Sequence, residues 1–479
     1  MRFNKVLLIT PFFSGERYTA VLTAGTGYIA ETLKRENIPL EVIDPNLNPD
    51  LKQTLKLIRK TILTFQPDLI ALGMMSINYY KDYEVIREIK KYYPDMKILV
   101  GGHHSSTFRE RIFNETTDVD YAVILEGEET VVELCKGKPL AEIKGLMYKE
   151  GGAVKYNGDR AFVKDLDSIP FPTYPGYDLK KYPDLTLHIV TSRGCPYCCT
   201  YCPVKTTIGR VFRVRSAKHV VDELEYWYER GIKNFGIVDD NFTLYRDRVF
   251  EICDEIEKRG IQANFNLGNG IRADKVDYDM LKRLKAVGFT EIAIGVESAN
   301  DHVLKSVKKG ENLATIEKAV QLACELGFEV GLFFILGSPG ETKEDIMNSF
   351  KFALKYPVDY AYFYNIIPFP NTELFDYLEK NNLFLAPYQT YLNASSHWNE
   401  RPAFVTPELG YADRIRMYRL GKKITKKIQI RRIKKRLKKL GPLATLAAHA
   451  ISNDTLQRIL MTNRTTKKII IKIKNVFWK

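Results

Sequence analysis

Two successive series of short apolar runs, each run followed by a helical pattern, constrain the fold of this 479-residue chain more than any other feature. In the first series, residues 6–10, 40–43, 69–76, 98–101 and 121–125 are nearly continuous in apolar side chains. Strands buried on both faces look like this, so the N-terminal part is expected to be an α/β domain with a doubly wound parallel sheet. The second series begins at 187, with runs near 187–192, 234–238, 263–267, 291–296, 330–336 and 359–366. Helical patterns of about 12 to 15 residues separate them, which predicts six β/α units of a partial or full parallel barrel. Between the two lies a hairpin-like stretch that ends in Pro170 and Pro172, whose rings impose extended backbone. The expected organisation is therefore 1–140, a linker 141–186, a barrel 187–385, a helical segment 386–420 and a basic tail 421–479.

Both architectures put ligands beyond the carboxyl ends of their strands. In the first series those ends carry Pro11, Phe12, Phe13, Ser14 and Gly15; then Gly73, Met74, Met75 and Ser76; then Gly101, Gly102, His103 and His104; then Glu126, Gly127, Glu128 and Glu129. Small residues there leave backbone close to a large flat ligand. Each piece also has a plainer reading, since a Gly pair after a strand is often only a turn and a single His there is usually a surface residue. No G-x-G-x-x-G follows the first run, which weakens a dinucleotide assignment.

At the end of the first barrel run stand Cys195, Cys198, Cys199 and Cys202, four of the seven cysteines. As two abutting C-x2-C pairs they could hold zinc, but structural zinc sites draw their pairs from knuckles roughly 15 to 20 residues apart. As C-x3-C-x2-C, Cys195, Cys199 and Cys202 can wrap three corners of a 4Fe-4S cube and leave one iron open for chemistry, where full ligation takes four thiolates. Cysteines crowded in this way read as metal chemistry in a reducing cytoplasm, not as a disulfide framework. Cys198 is expected to be a bystander, and Cys135, Cys253 and Cys324, in helical patterns, core residues.

The motif, the barrel and the N-terminal domain together resemble the B12-binding radical SAM enzymes, over about residues 1 to 400. The resemblance implies a flavodoxin-like cobalamin-binding domain and a radical SAM barrel. It also implies a cluster whose open iron binds S-adenosylmethionine (SAM) and cleaves it reductively to a 5′-deoxyadenosyl radical. Arg193, Gly194 and Tyr201 match the family's cluster loop. By the same resemblance Asp239 and Asp240 end the second strand near the methionine part of SAM, and Arg272 follows the third. Glu297 and Ser298 close the fourth, near the ribose or carboxylate, and Gly337 and Gly340 end the fifth, near the adenine. Either aspartate alone could equally be a solvated helix start. Asn371 replaces a family Gly in the turn Pro368–Thr372, and Asn tolerates the left-handed backbone such a turn needs. For cobalamin the implied residues are Pro11, Met74, Ser76, Gly101, Gly102, His104, Glu126 and Gly127. The Asp-x-His-x-x-Gly pattern, whose His binds cobalt in some B12 proteins, is absent. No catalytic residue is assigned.

The formal charge of +14 suggests a nucleic-acid or membrane partner, yet residues 421–479 hold 18 Lys and Arg against the single acid Asp454. That leaves 54 bases and 57 acids for residues 1–420, a nearly neutral body with a basic tail. Leu420, Ile424, Ile428, Ile433, Leu437 and Leu440 form an apolar stripe beside cationic residues, the pattern of an interfacial helix on anionic lipid; Phe477 and Trp478 suit the same interface. A basic helix packed on the barrel is the competing reading. No run of about 18 apolar residues predicts a transmembrane helix, and the N-terminal run is too short for a signal peptide. Nucleic acid is disfavoured because no aromatic single-strand platform or RNA-binding module is found.

These readings combine into a cytoplasmic enzyme, peripheral at the inner membrane face. It is expected to abstract hydrogen from a hydrophobic or lipid substrate, transfer a methyl group from methylcobalamin, and draw electrons from a reductant such as flavodoxin or ferredoxin. Ring formation or contraction, as in the anaerobic porphyrin-ester cyclase and hopanoid-modifying members, is the alternative outcome, and a peptide or soluble metabolite the alternative substrate. A zinc-stabilised cobalamin sensor is a remote third reading.

Overall fold

The computed structural model describes residues 2–12, 21–47, 50–182, 185–394, 400–438, 441 and 443–452. Of the expectations above, those for Phe13, Ser14, Gly15 and Leu440, and for residues 453–479 including Phe477 and Trp478, fall outside the described residues. The chain divides into two compact units, one of residues 1–269, 286–289 and 367–404, the other of residues 270–285, 290–366 and 405–479.

In the first unit β1 (Val6–Ile9), β2 (Leu40–Ile43), β3 (Leu69–Gly73), β4 (Lys97–Gly101) and β5 (Tyr121–Val123) lie in the order 2-1-3-4-5, all parallel. This is the doubly wound order of flavodoxin-like folds. All four residues of β1 and the first four of β3 are buried, as the unbroken apolar runs require. The hairpin of β6 (Leu146–Glu150) and β7 (Ala153–Tyr156) pairs antiparallel onto β5 and completes a seven-stranded sheet. The expected linker hairpin is thus the edge of the first sheet. Its turn is Gly151–Gly152, both at positive φ.

The same unit holds β8 (Leu187–Ile189), the short antiparallel pair β9 (Ser192–Arg193) and β10 (Arg213–Val214), then β11 (Asn234–Ile237) and most of β12 (Asn264–Ile271). Strands β8, β11 and β12 are parallel neighbours, with Phe235 stacked on Phe265 at 5.7 Å. In the second unit β13 (Phe289–Glu297, from Thr290 onward), β14 (Glu329–Leu336) and β15 (Tyr360–Asn365) are likewise parallel neighbours. Their helices sit between them in sequence, as the β/α pattern predicts. One of these, Lys343–Lys355, starts with a reciprocal cap in which Thr342 and Asp345 satisfy each other's backbone N–H groups.

The basic helix Tyr411–Arg436 belongs to the second unit. Ile428, Ile433 and Leu437 of its stripe are buried against protein, and Leu420 and Ile424 are half-buried. Thr425 Oγ1 donates to the carbonyl of Ala361 at 2.6 Å. Arg431 donates to the carbonyls of Leu354, Tyr356 and Val358, and Arg432 and Arg436 pair with Glu329. The stripe expected to face lipid is therefore turned largely inward. An apolar stripe reads alike whether lipid or protein covers it. Lys422, Lys423, Lys426, Lys427, Lys434, Lys435 and Lys438 remain exposed.

Candidate active site

The cluster loop leaves β9 at Arg193 and returns through the short helix Val204–Thr207 to β10. Gly194 makes the departure possible. Its φ is +89°, and a Cβ there would lie 2.3 Å from the Val211 carbonyl oxygen, so only Gly lets the two backbones touch. Cys195 N–H then donates to the Gly209 carbonyl at 3.2 Å, and Leu374 N–H reaches the Thr200 carbonyl at 3.0 Å. Leu374 follows the turn in which Asn371 takes φ +64°, the left-handed conformation its residue type allows, and Asn371 Nδ2 donates to the Thr107 carbonyl.

Cys195, Cys199 and Cys202 are half-buried and Cys198 is exposed. Burial pushes the Cys202 thiol up to about 12, and its neighbours Cys199, Asp240 and Cys195 add to the shift. Among the described residues no three His, Cys, Asp or Glu side chains converge as tightly as a single ion needs. Cys135 and Cys253 are buried and Cys324 half-buried.

The aspartate pair splits in two. Asp239 is 3% exposed, and its carboxylate accepts from Thr191 N at 2.6 Å, Thr191 Oγ1 at 2.5 Å and Ser192 Oγ at 2.6 Å. It fixes the strand that leads into the cluster loop. Asp240 is half-buried, and its carboxyl is pushed up to about 6 by burial and then by the charge of Asp239. Next to it Asn241 is fully buried, and neither its amide nitrogen nor its amide oxygen has a partner among the described residues. A bound polar group would satisfy that orphaned amide. Asn269 Nδ2 bonds the carbonyls of Val238 and Asp239, which ties the end of β12 to the end of β11.

Several contributors have no motif to announce them. Arg215 bonds the Val190 carbonyl, Tyr28 Oη and Glu223, and Arg248 Nη2 bonds the Thr191 carbonyl, so two buried arginines clamp the approach to the loop. His188 and Asn266 meet beside Gly236, where a Cβ would stand 3.0 Å from the imidazole and 3.2 Å from the Asn266 amide oxygen.

Of the residues implied for cobalamin, Gly101 and Gly102 end β4, with Gly102 exposed at φ +92° and a would-be Cβ 2.9 Å from the Met74 carbonyl oxygen. A side chain there would run into the Met74 backbone, so the glycine lets the ends of β3 and β4 pack closely. Pro11, Met74 and Ser76 are buried beside it in sequence order, and Gly127 is half-buried. His104 is fully buried instead. Its ring stacks on Tyr79 at 4.3 Å and lies tilted against Phe108 at 4.0 Å, Nε2 meets Tyr83 Oη at 3.0 Å, and burial lowers its pKa to about 3. Glu126 accepts from Arg193, Arg213 and the Val163 N–H.

In the second unit Glu297 ends β13 at φ +62°, at a register shift against β14, a strained position for a non-glycine residue. Lys309 Nζ donates to its Oε1 at 2.9 Å, and Arg272 Nη1 donates to the Lys309 carbonyl at 2.7 Å. Ser298 is buried and accepts from Asn300. Gly337, at φ +89°, faces the guanidinium of buried Arg414, which bonds the Leu336 carbonyl at 3.0 Å; Gly340, at φ +82°, has open space around it. Glu341 accepts from Gly337 N–H at 2.6 Å, and burial pushes its carboxyl up to about 8 against the pull of those N–H groups and Arg414.

Residues 189–353 match the radical SAM superfamily and residues 15–135 match the B12 binding domain. An uncharacterised methyltransferase of Pyrococcus horikoshii is 32% identical over 397 residues, covering 80% of this chain and 85% of that protein. The anaerobic magnesium-protoporphyrin IX monomethyl ester cyclase of Cereibacter sphaeroides is 28% identical over 328 residues, 65% of this chain and 53% of its own length. Among solved structures, the cobalamin-dependent S-adenosylmethionine radical enzyme OxsB, with aqua-cobalamin and S-adenosylmethionine bound, has a similar fold. Its TM-score is 0.69 at 20% identity, over 98% of this chain and 75% of that one.

Proposed function

The chain belongs to the radical SAM superfamily, in the class that carries a B12-binding domain, and on that premise we propose that it transfers a methyl group to a carbon of a hydrophobic substrate. It is an enzyme whose cofactors are a 4Fe-4S cluster, S-adenosylmethionine and cobalamin. When bound, the cluster supplies the electron that cleaves S-adenosylmethionine to a hydrogen-abstracting radical, and cobalamin supplies a methyl group. Cys195, Cys199 and Cys202 would hold the cluster. Asp240 and the orphaned amide of Asn241 offer polar atoms to the methionine end of SAM. Arg272, Glu297, Ser298, Gly337 and Gly340 are the candidates for the rest of the molecule. Pro11, Met74, Ser76, Gly101, Gly102 and Gly127 would line the cobalamin face.

The observation that carries the reading is the loop itself. Cys195, Cys199 and Cys202 share one loop behind the Gly194 hinge after β9, Cys195, Cys199 and Asp240 all act on the Cys202 thiol, and the next residue, Asn241, is a buried amide with no partner among the described residues. A hydrophobic substrate is supported by the named tetrapyrrole-ester activity of the Cereibacter relative. Ring closure without methylation is the second reading, favoured by that same relative. The exposed lysines of the Tyr411–Arg436 helix offer an anionic membrane electrostatic attraction without insertion, and a small acidic electron carrier would supply the reductant. Among the described residues no helix is long and apolar enough to cross a membrane.

Anaerobic reconstitution with iron and sulfide should give a visible cluster chromophore that the Cys195→Ala/Cys199→Ala/Cys202→Ala variant lacks. An equal chromophore in that variant refutes the ligand assignment. Turnover with deuterated methyl SAM, followed by mass spectrometry of lipid and tetrapyrrole extracts, separates methylation from cyclisation: label in the product supports the first, unlabelled ring formation the second.

A further inference from the structure

Glu126 and Glu128 follow β5 in the first sheet, 67 and 65 residues before Arg193, yet both carboxylates reach it. Arg193 Nη1 lies 2.9 Å from Glu126 Oε1, and Arg193 Nη2 lies 2.6 Å from Glu128 Oε1. Arg213, opposite Arg193 in the β9–β10 pair, adds a second guanidinium 2.7 Å from Glu126 Oε1. All four side chains are largely buried, with exposures of 12% for Arg193, 9% for Glu126, 13% for Glu128 and 5% for Arg213. The face of Arg193 lies over Tyr28, its carbon 5.0 Å from the ring centroid.

Two acids from one sheet therefore enclose two arginines from the cluster loop's base, with charges balanced and water largely shut out. Burial opposes the charge of Glu128, but the adjacent Arg193 outweighs it and holds the carboxyl below its ordinary value. Both ends of the tie are stiff. On one side Leu125 sits at φ +65° with its N–H on Ser106 Oγ at 2.8 Å, and Glu128 opens the helix Glu128–Cys135. On the other side Arg193 is one residue from the Gly194 hinge and two from Cys195. A planar guanidinium bridging two carboxylates fixes orientation as well as distance, which a single ammonium cannot do.

We propose that the Glu126–Arg193–Glu128 bridge is a positioning device that couples the cobalamin-side loop after β5 to the cluster loop, so that the state of one cofactor site is felt at the other. The inference rests on the enzyme reading above and adds to it the residues that carry the coupling. Arg193 and Glu128 are positioning residues, acting through the loops they hold. Coupling free energies of this kind correspond to about 5- to 150-fold effects and are reciprocal between the two sites.

The test crosses the readouts in the holoenzyme reconstituted with cluster and hydroxocobalamin. Glu128→Gln, on the cobalamin side, is expected to change the g-values and midpoint potential of the reduced cluster by electron paramagnetic resonance and redox titration. Arg193→Lys, on the cluster side, is expected to weaken hydroxocobalamin binding about tenfold by equilibrium dialysis. The double variant should show no more than the larger single effect at each site. A loop that is only locally structural gives uncrossed effects, with each variant disturbing its own side alone, and that result overturns the inference. If Arg193→Lys does not fold by far-ultraviolet circular dichroism, the cluster spectrum of Glu128→Gln decides alone. Wild-type protein that takes up neither cofactor overturns the enzyme reading and the inference with it, whereas wild-type uptake with uncrossed effects overturns the inference only.

Discussion

Asp239 and Asp240 are chemically identical neighbours, and their surroundings predict stability effects of opposite sign. Asp239→Ala removes the acceptor of three buried donors, each 2.5 to 2.6 Å away. Hydrogen bonds to a charged group contribute about 1.5 to 3 kcal/mol each, but the two hydroxyls can turn to new partners while the Thr191 N–H cannot. A loss of about 3 to 5 kcal/mol follows, large enough to lower the melting temperature by many degrees. Asp240 carries the reverse penalty. Its folded pKa of about 6 lies above the ordinary 3.8, so the folded state binds the proton more tightly and stability falls as pH rises from 3.8 through 6. A tenfold difference in proton affinity corresponds to about 1.4 kcal/mol, so above pH 6 the ionised carboxylate costs up to about 3 kcal/mol before solvent screening of its exposed part reduces it. Asp240→Asn should therefore stabilise the full chain at pH 8 and lose that advantage as pH falls from 6 toward 3.8. Thermal melts of both variants followed by circular dichroism at pH 8 and pH 4.5 measure this. Equal shifts in the same direction for the two variants at pH 8 would refute the division of roles.

The remaining predictions rest on equally local features. Gly194→Ala forces a Cβ against the Val211 carbonyl and should lower iron retained per chain after reconstitution, whereas Gly340→Ala, at a similar φ but in open space, should cost about 1 kcal/mol and leave iron unchanged. Glu341→Gln should flatten the pH dependence of stability between the ordinary carboxyl value of 4.5 and about 8, a window in which the wild type loses stability as pH rises; a wild-type melting curve flat across that window contradicts the raised value. Changing Lys422, Lys423, Lys426 and Lys427 to Glu should abolish any flotation with anionic vesicles while the melting temperature holds, because these side chains are exposed. Arg431→Ala should instead lower the melting temperature, because three carbonyls lose their donor.

Much of the scaffold was legible because strands buried on both faces must be written as apolar runs. Residues 6–10 and 330–336 match β1 and β14 to within one residue, and 69–76 begins with β3 and overruns it by three. The hairpin was legible as a hairpin but not as part of a sheet, since nothing in β6 names β5 as its partner. Cys195, Cys199 and Cys202 stood out by spacing. Arg213, Arg215 and Arg248 did not, because an arginine's target is fixed by tertiary contact and any surface strand can carry one. The tail shows the same limit from the other side. Its stripe promises an apolar partner without naming it: Ile433 and Leu437 cluster with Ala444 and Ala448, while Arg431 finds the carbonyls of Leu354, Tyr356 and Val358.

The residues at the strand ends fall into two groups that a motif cannot separate. Asp239, Glu126, Glu128 and Asn269 have their polar atoms engaged by the chain itself, and each holds a loop or a neighbouring strand end. Asn241 keeps both amide atoms without a partner among the described residues, Asp240 is left at a raised pKa, and Gly102 is exposed. The first group makes the geometry and the second leaves chemistry for a ligand to complete. Both kinds of residue matter to the site, since Asp239 holds Thr191 and Ser192, which lead into the cluster loop. Asp239→Ala should thus lose iron together with stability, and Asn241→Ala should keep the cluster while weakening SAM binding. That contrast distinguishes a residue that builds the site from one that waits in it.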